Sequence, residues 1–186
     1  NAPGTASTTL AFHRYNGSAW NNAVEIDTNG IITPDTGTGG IKLGGSGTAH
    51  LLDHYEEGTF TPTFSGATLS AATGTYTRIG NQVTVHFRVV TTGGLPSSGG
   101  QVQIGNLPFT SANDGLHGAG AIYIGPSNVS SATGGGGTIT TIMEGNATVL
   151  RLVNVDTGTL GYTLWGELEV SSNNVVTATG TFTYFV

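Results

Sequence analysis

Two histidines, His50 and His54, stand four residues apart with Asp53 between them and Glu57 beyond. On a helical turn that spacing puts both imidazoles on one face, a geometry able to hold a divalent metal with a carboxylate. The same residues also make an ordinary capped surface turn, and we expect that role, with no metal and no cofactor. Glycoside hydrolysis needs two converging carboxylates. The close acidic pairs, Glu56 with Glu57 and Glu167 with Glu169, read as a turn surface and the solvent face of a strand. No Ser lies in a G-x-S-x-G elbow, since Ser46 sits within Gly44-Gly45-Ser46-Gly47, and the run Gly134 to Gly137 lacks the Lys and Ser or Thr of a phosphate loop. We therefore expect no enzyme. Three N-x-[ST] sequons, at Asn16, Asn128 and Asn146, are what a Thr- and Asn-rich chain produces by chance.

Recognition chemistry is better represented. Glycans are bound by aromatic faces with amide, carboxylate or hydroxyl neighbours, and such groups carry most information on loops. The segment Ser111 to Tyr123, SANDGLHGAGAIY, gathers Asn113, Asp114, His117 and Tyr123 among small residues. It is the expected receptor loop, with Trp165 as a further sugar platform. Trp20 is expected to pack between chains.

Positioning these groups falls to β structure. Asn16-Gly17 and Asn29-Gly30 are tight-turn signals between short strands at Thr8–Tyr15, Ala19–Asp27 and Gly30–Thr33. Pro34 to Gly47 is loop-like except for Ile41-Lys42-Leu43, so the first 50 residues lack the apolar mass of an independent domain. From Gln82 to Thr92 alternation is strict, with Val83, Val85, Phe87 and Val89 on one face and Thr84, His86 and Arg88 on the other. Further strands are expected at 76–79, 101–104, 119–124, 138–143, 148–155, 160–170 and 175–186. About ten short strands with turns every 8 to 12 residues predict an all-β sandwich or jelly roll. One helical turn is expected, over residues 51–58, where Leu51, Leu52 and Tyr55 share a side and Gly58 supplies the stop.

Composition agrees. The 186 residues include 31 Gly, so any core is thin or shared between chains. Charged residues are 9% against roughly 25% in an ordinary soluble domain. The net charge is −6, and Arg14, Lys42, Arg78, Arg88 and Arg151 are scattered singly, which argues against a nucleic-acid binder. No apolar run approaches the roughly 20 residues of a membrane span, and there is no Cys for disulfides. A start at Asn1 instead of Met leads us to expect a piece of a longer polypeptide.

The segment LLDHYEEGTFTPTF (Leu51 to Phe64) resembles the shaft-to-head junction of tail fibres and related receptor-binding proteins of tailed bacteriophages, where the string L-D-x-Y-E-E-G-T-[FW]-T-P introduces the C-terminal domain. GTYTRIGNQVTVHFRV (Gly74 to Val89) is similar to the G-x-Y-x-[KR]-x-G-x-x-V-x-V strand pair of such heads, and IGNLPFT (Ile104 to Thr110) to their G-L-P-[FY] element. VEIDTNGIITP (Val24 to Pro34) and GGIKLGGSGTAHLLD (Gly39 to Asp53) look like the end of a fibre shaft. The likeness spans residues 24 to 110. Where family heads often carry a second Asp before the Tyr, this chain has His54, so no role of that carboxylate is transferred.

The resemblance implies a homotrimeric adhesin at the distal end of a virion tail fibre, binding a glycan or outer-membrane component of the host. It implies a trimeric shaft over 1–50 with Ile26, Ile31, Ile41 and Leu43 towards the axis, a hinge over 51–58 and a receptor-binding head over 59–186. Repeated three times about an axis, His54 becomes a weak metal candidate. The alternatives are the C-terminal part of a tailspike depolymerase and a structural fibre decorating the virion.

Overall fold

Asn16 makes the first hairpin. Its side-chain oxygen accepts the N–H groups of Ser18 and Ala19, each at 2.9 Å, while Gly17 takes the left-handed backbone (φ 99°) that a side chain resists. Strands β1 (Leu10–Tyr15) and β2 (Trp20–Ile26) run antiparallel from this turn, and β3 (Ile32–Pro34) adds to β2. The computed structural model describes residues 10–26, 28–34, 41–42, 44, 51–52, 54–93, 100–114, 118–125, 128–129, 138–156, 159–162, 168–169 and 175–186. It divides into two units, Asn1–His54 and Tyr55–Val186.

In the first unit the register sets Leu10 opposite Ile26 and Ile26 opposite Ile32, with Phe12 opposite Val24 in the next row of the same face. The apolar side chains of this face stand largely open. Leu10 is 58% exposed, Phe12 56% and Ile32 63%. Trp20 meets Tyr15, its register partner, at 5.3 Å with the ring planes tilted by 48°, and stays exposed. A second pair, β4 (Ile41–Lys42) with β5 (Leu51–Leu52), completes the unit's described strands. Leu43 lies outside the described residues.

The second unit is all-β among its described residues. One five-stranded sheet has the order β11-β17-β9-β8-β6, from β6 (Tyr55–Phe60), β8 (Leu69–Ile79), β9 (Gln82–Thr91), β11 (Ala119–Gly125) and β17 (Thr177–Phe185). The other has the order β13-β14-β10-β7, from β7 (Thr63–Phe64), β10 (Gln103–Gly105), β13 (Thr138–Ile142) and β14 (Leu150–Asp156), with β15 (Thr159–Tyr162) on β14. A short pair, β12 (Asn128–Val129) with β16 (Leu168–Glu169), stands apart from both. Val83, Val85, Phe87, Val89, Ala178, Phe182 and Tyr184 of the first sheet share one core with Phe64, Ile104, Leu150 and Leu152 of the second, an arrangement consistent with a β-sandwich. Burial alternates along β9 as its sequence predicts.

Glycine does not thin this core; it is matched to aromatic rings. Across the inner face of the larger sheet one register row reads Phe60, Gly74, Phe87, Gly180, Ile122, and the next Gly58, Tyr76, Val85, Phe182, Gly120. Each glycine leaves room for a ring from its neighbour. A Cβ at Gly58 would come within 2.6 Å of the Tyr76 hydroxyl, and one at Gly180 within 2.9 Å of the Phe87 ring. The missing side chains are filled from the adjoining strand.

One sequence expectation is corrected. Residues 51–58 form no helical turn: Leu51–Leu52 pairs with Ile41–Lys42, and Tyr55–Phe60 is the edge strand of the larger sheet, its exposure alternating residue by residue. The helix-like spacing of Leu51, Leu52 and Tyr55 loses to cross-strand pairing, because Gly58 and Phe60 find Tyr76 and Gly74 on β8. Of the strand expected over 160–170, residues 163–167 and 170 lie outside the described residues. Thr159–Tyr162 pairs with β14 and Leu168–Glu169 with β12.

Candidate binding site

The residues that carry the family-like motifs are mainly structural here. In β6, Glu56 accepts the Tyr76 hydroxyl at 2.6 Å. That hydrogen bond raises the tyrosine pKa above its ordinary value, with desolvation and the carboxylate charge acting in the same direction. Tyr55 donates to Glu57 on the opposite, exposed side of the strand. The segment 104–110 folds as a clasp. Asn106 takes φ 60° and donates from its amide to Thr61 O at 2.7 Å, Leu107 is buried, and the Phe109 ring meets Tyr76 edge-on at 5.2 Å beneath the Arg78 guanidinium at 5.1 Å. Tyr184 ties the clasp to the core through both backbone groups of Phe109. Burial pushes its pKa up to about 12, against the lowering effects of that hydrogen bond and of Arg78.

The outer face of the larger sheet offers the chemistry. Registers place Tyr123, Thr179, Arg88 and Thr73 in one row across four strands, and Ala121, Thr181, His86 and Thr75 in a second. The rows lie about 6.8 Å apart along the strands. Between them the backbone of Ile122, Gly180, Phe87 and Gly74 floors an open trough of about 610 Å³. His86 Nδ1 and Thr181 Oγ1 are hydrogen-bonded at 2.8 Å, and Thr179 donates to Phe87 O at 3.0 Å, so both threonines are held in place. Arg78 and Arg151 are engaged, the first with Gly80 O and the Phe109 ring, the second with Glu144 and Gln101. The Arg88 guanidinium, exposed in the trough, makes no hydrogen bond or ion pair among the described residues.

Tyr123 lies in β11 with 65% of its surface exposed, its ring over Gly125, where a Cβ would collide with the hydroxyl. The expected receptor loop is therefore split. Ala112, next to Asn113, donates to Phe185 O at 2.9 Å, while Tyr123 pairs with Thr179, six residues along β17 from Phe185. At about 3.3 Å per residue this puts the anchor of Asn113 and Asp114 about 20 Å along the strand from the Tyr123 row. Both are exposed, and the Asn113 side chain lies where a Cβ on Gly145 would be. His117 and Trp165 lie outside the described residues, as do His50 and Asp53. His54 is half-buried, and among the described residues no group of three His, Cys, Asp or Glu could hold a metal.

His86, Arg88 and the flanking threonines were absent from the expected receptor residues. Their signal was present in the polar half of the β9 alternation and in the Thr-x-Thr-x-Thr spacing of 73–77 and 179–183. Comparison of the chain with protein-family models, with curated proteins and with solved structures finds no match in any of the three. Among the described residues no helix is long and apolar enough to cross a membrane.

Proposed function

We propose that the chain is the shaft-to-head region of a tailed-phage tail fibre or receptor-binding protein, a homotrimer that attaches the virion to a glycan on the bacterial surface. In this reading the first unit is an intertwined β shaft and the second a jelly-roll-like receptor-binding head. The supporting observation is the apolar sheet face of the first unit. Leu10, Phe12 and Ile32 stand more than half exposed in adjacent rows. Covering such side chains is worth roughly 1.5 to 3 kcal/mol each, and further copies of the same chain are the occupant that a fibre supplies. The junction string Leu51 to Pro62 and the clasp at 104–110 support the same reading through their resemblance to fibre heads.

Light scattering tests the assembly: the expected mass is three times 18.9 kDa, and a monomer at micromolar concentration overturns it. Labelled protein applied to a panel of bacterial strains tests the attachment. Surface labelling of some strains and not others is expected, whereas uniform absence of labelling rejects an adhesin. A fall in the viscosity of a capsular polysaccharide would point instead to a depolymerase.

A further inference from the structure

We propose that the trough on the outer face of the larger sheet binds an acidic saccharide, with Arg88 holding its anionic group and Tyr123 its ring. The origin of that saccharide, a host envelope, rests on the adhesin reading; the chemistry of the trough does not. The trough is lined by threonines around a single histidine and a single arginine, and the carboxylate of this sheet face, Glu57, lies opposite Thr77 on the edge strand, outside both rows, where it accepts the Tyr55 hydroxyl. In a chain of net charge −6, an exposed Arg with no partner among the described residues selects an anion by charge complementarity. Its planar fork suits a carboxylate or a phosphate, both of which occur on acidic sugars.

The rest of the trough suits a sugar better than a bare ion. Tyr123 shares the row of Arg88 with only Thr179 between them. An aromatic ring there can lie against the apolar C–H face of a pyranose while the guanidinium reaches the acidic substituent. Thr73, Thr75, Thr181 and His86 border the backbone floor with hydroxyl and imidazole groups, which match sugar hydroxyls. Threonine is stiff at χ1 and loses little freedom on binding. Because Gly74 accommodates the Phe60 ring and Gly180 the Phe87 ring on the inner side, the core fixes the floor without adding a side chain to it.

The test is a glycan panel probed with the full chain, pairing each acidic glycan with a neutral counterpart: a uronate with its methyl ester, and a phosphosugar with its unphosphorylated parent. Binding to at least one acidic member is expected, weakened about tenfold or more in its neutral counterpart, as for loss of a charge-assisted bidentate contact. Which pair responds distinguishes carboxylate from phosphate. Arg88→Gln should bring acidic binding down to the neutral level, and Tyr123→Ala should weaken both, with mass and circular dichroism unchanged. Equal binding of acidic and neutral members, or no binding to the panel, overturns the proposal. So does a change of oligomeric mass in either variant, since the face would then be an interface between copies. If both variants still label bacterial cells, the trough proposal fails and the adhesin stands. If the panel is bound as expected but cells are not, the adhesin fails and the trough stands.

Discussion

The Tyr184 hydroxyl holds both backbone groups of Phe109, accepting its N–H at 3.3 Å and donating to its carbonyl at 3.2 Å. The two residues lie 75 positions apart, so one phenol pins the clasp at 104–110 to the last strand. Removing the hydroxyl leaves both backbone groups without this partner, at about 1 to 3 kcal/mol. Tyr184→Phe should lower the unfolding free energy by that amount, read as a lower denaturant midpoint at unchanged slope, while leaving the β signature of the circular dichroism spectrum intact. A midpoint equal to the wild type would show that water replaces the phenol.

The same phenol sets a limit in alkali. Its folded-state pKa of about 12 lies above the ordinary tyrosine value near 10, so the folded chain keeps a proton that the unfolded chain gives up. The stabilisation is complete below pH 10 and is lost as pH rises from about 10 to 12, by up to about 1.4 kcal/mol per unit. Denaturation curves over that range should show the decline in the wild type and a shallower one in Tyr184→Phe. Parallel slopes would place the alkaline sensitivity elsewhere.

Glycines opposite aromatic rings should resist even a methyl group. At Gly74 a Cβ would strike the Phe60 ring, and overpacking of this kind costs about 1 to 3 kcal/mol. Gly74→Ala is expected to destabilise the chain by that much, and Phe60→Leu in the same chain should recover part of the loss. If the double variant is no more stable than the sum of the single effects predicts, the ring is not what Gly74 accommodates.

Truncation distinguishes a hinge from an edge strand. A chain beginning at Tyr55 keeps all of β6 and is expected to fold, because the described core lies wholly within Tyr55–Val186. Beginning at Thr59 removes Gly58 from Tyr76 and Glu56 from its hydrogen bond. At about 0.2 to 1 kcal/mol for each cross-strand pair lost, it should unfold at a lower temperature. Equal melting temperatures for the two truncations would contradict the structural role of the junction string.

All-β architecture was legible in the chain, because period-two alternation in Gln82–Thr91 and Thr177–Phe185 already separates a dry face from a wet one, and Asn16-Gly17 already specifies a turn. These are local properties, carried by neighbours in sequence. The helical reading of residues 51–58 failed for the opposite reason: whether Tyr55–Phe60 extends depends on Tyr76 and Gly74, some twenty positions away, which accept it as a partner strand. What the 31 Gly do to the core was equally beyond local reading, since a glycine is filled or empty according to which ring the register sets across from it. Tyr123 was picked from sequence as a binding residue, but its company was not, because Arg88, Thr179 and Thr73 meet it only through three strand registers. Local patterning decided which residues face outward; long-range pairing alone decided which of them stand together.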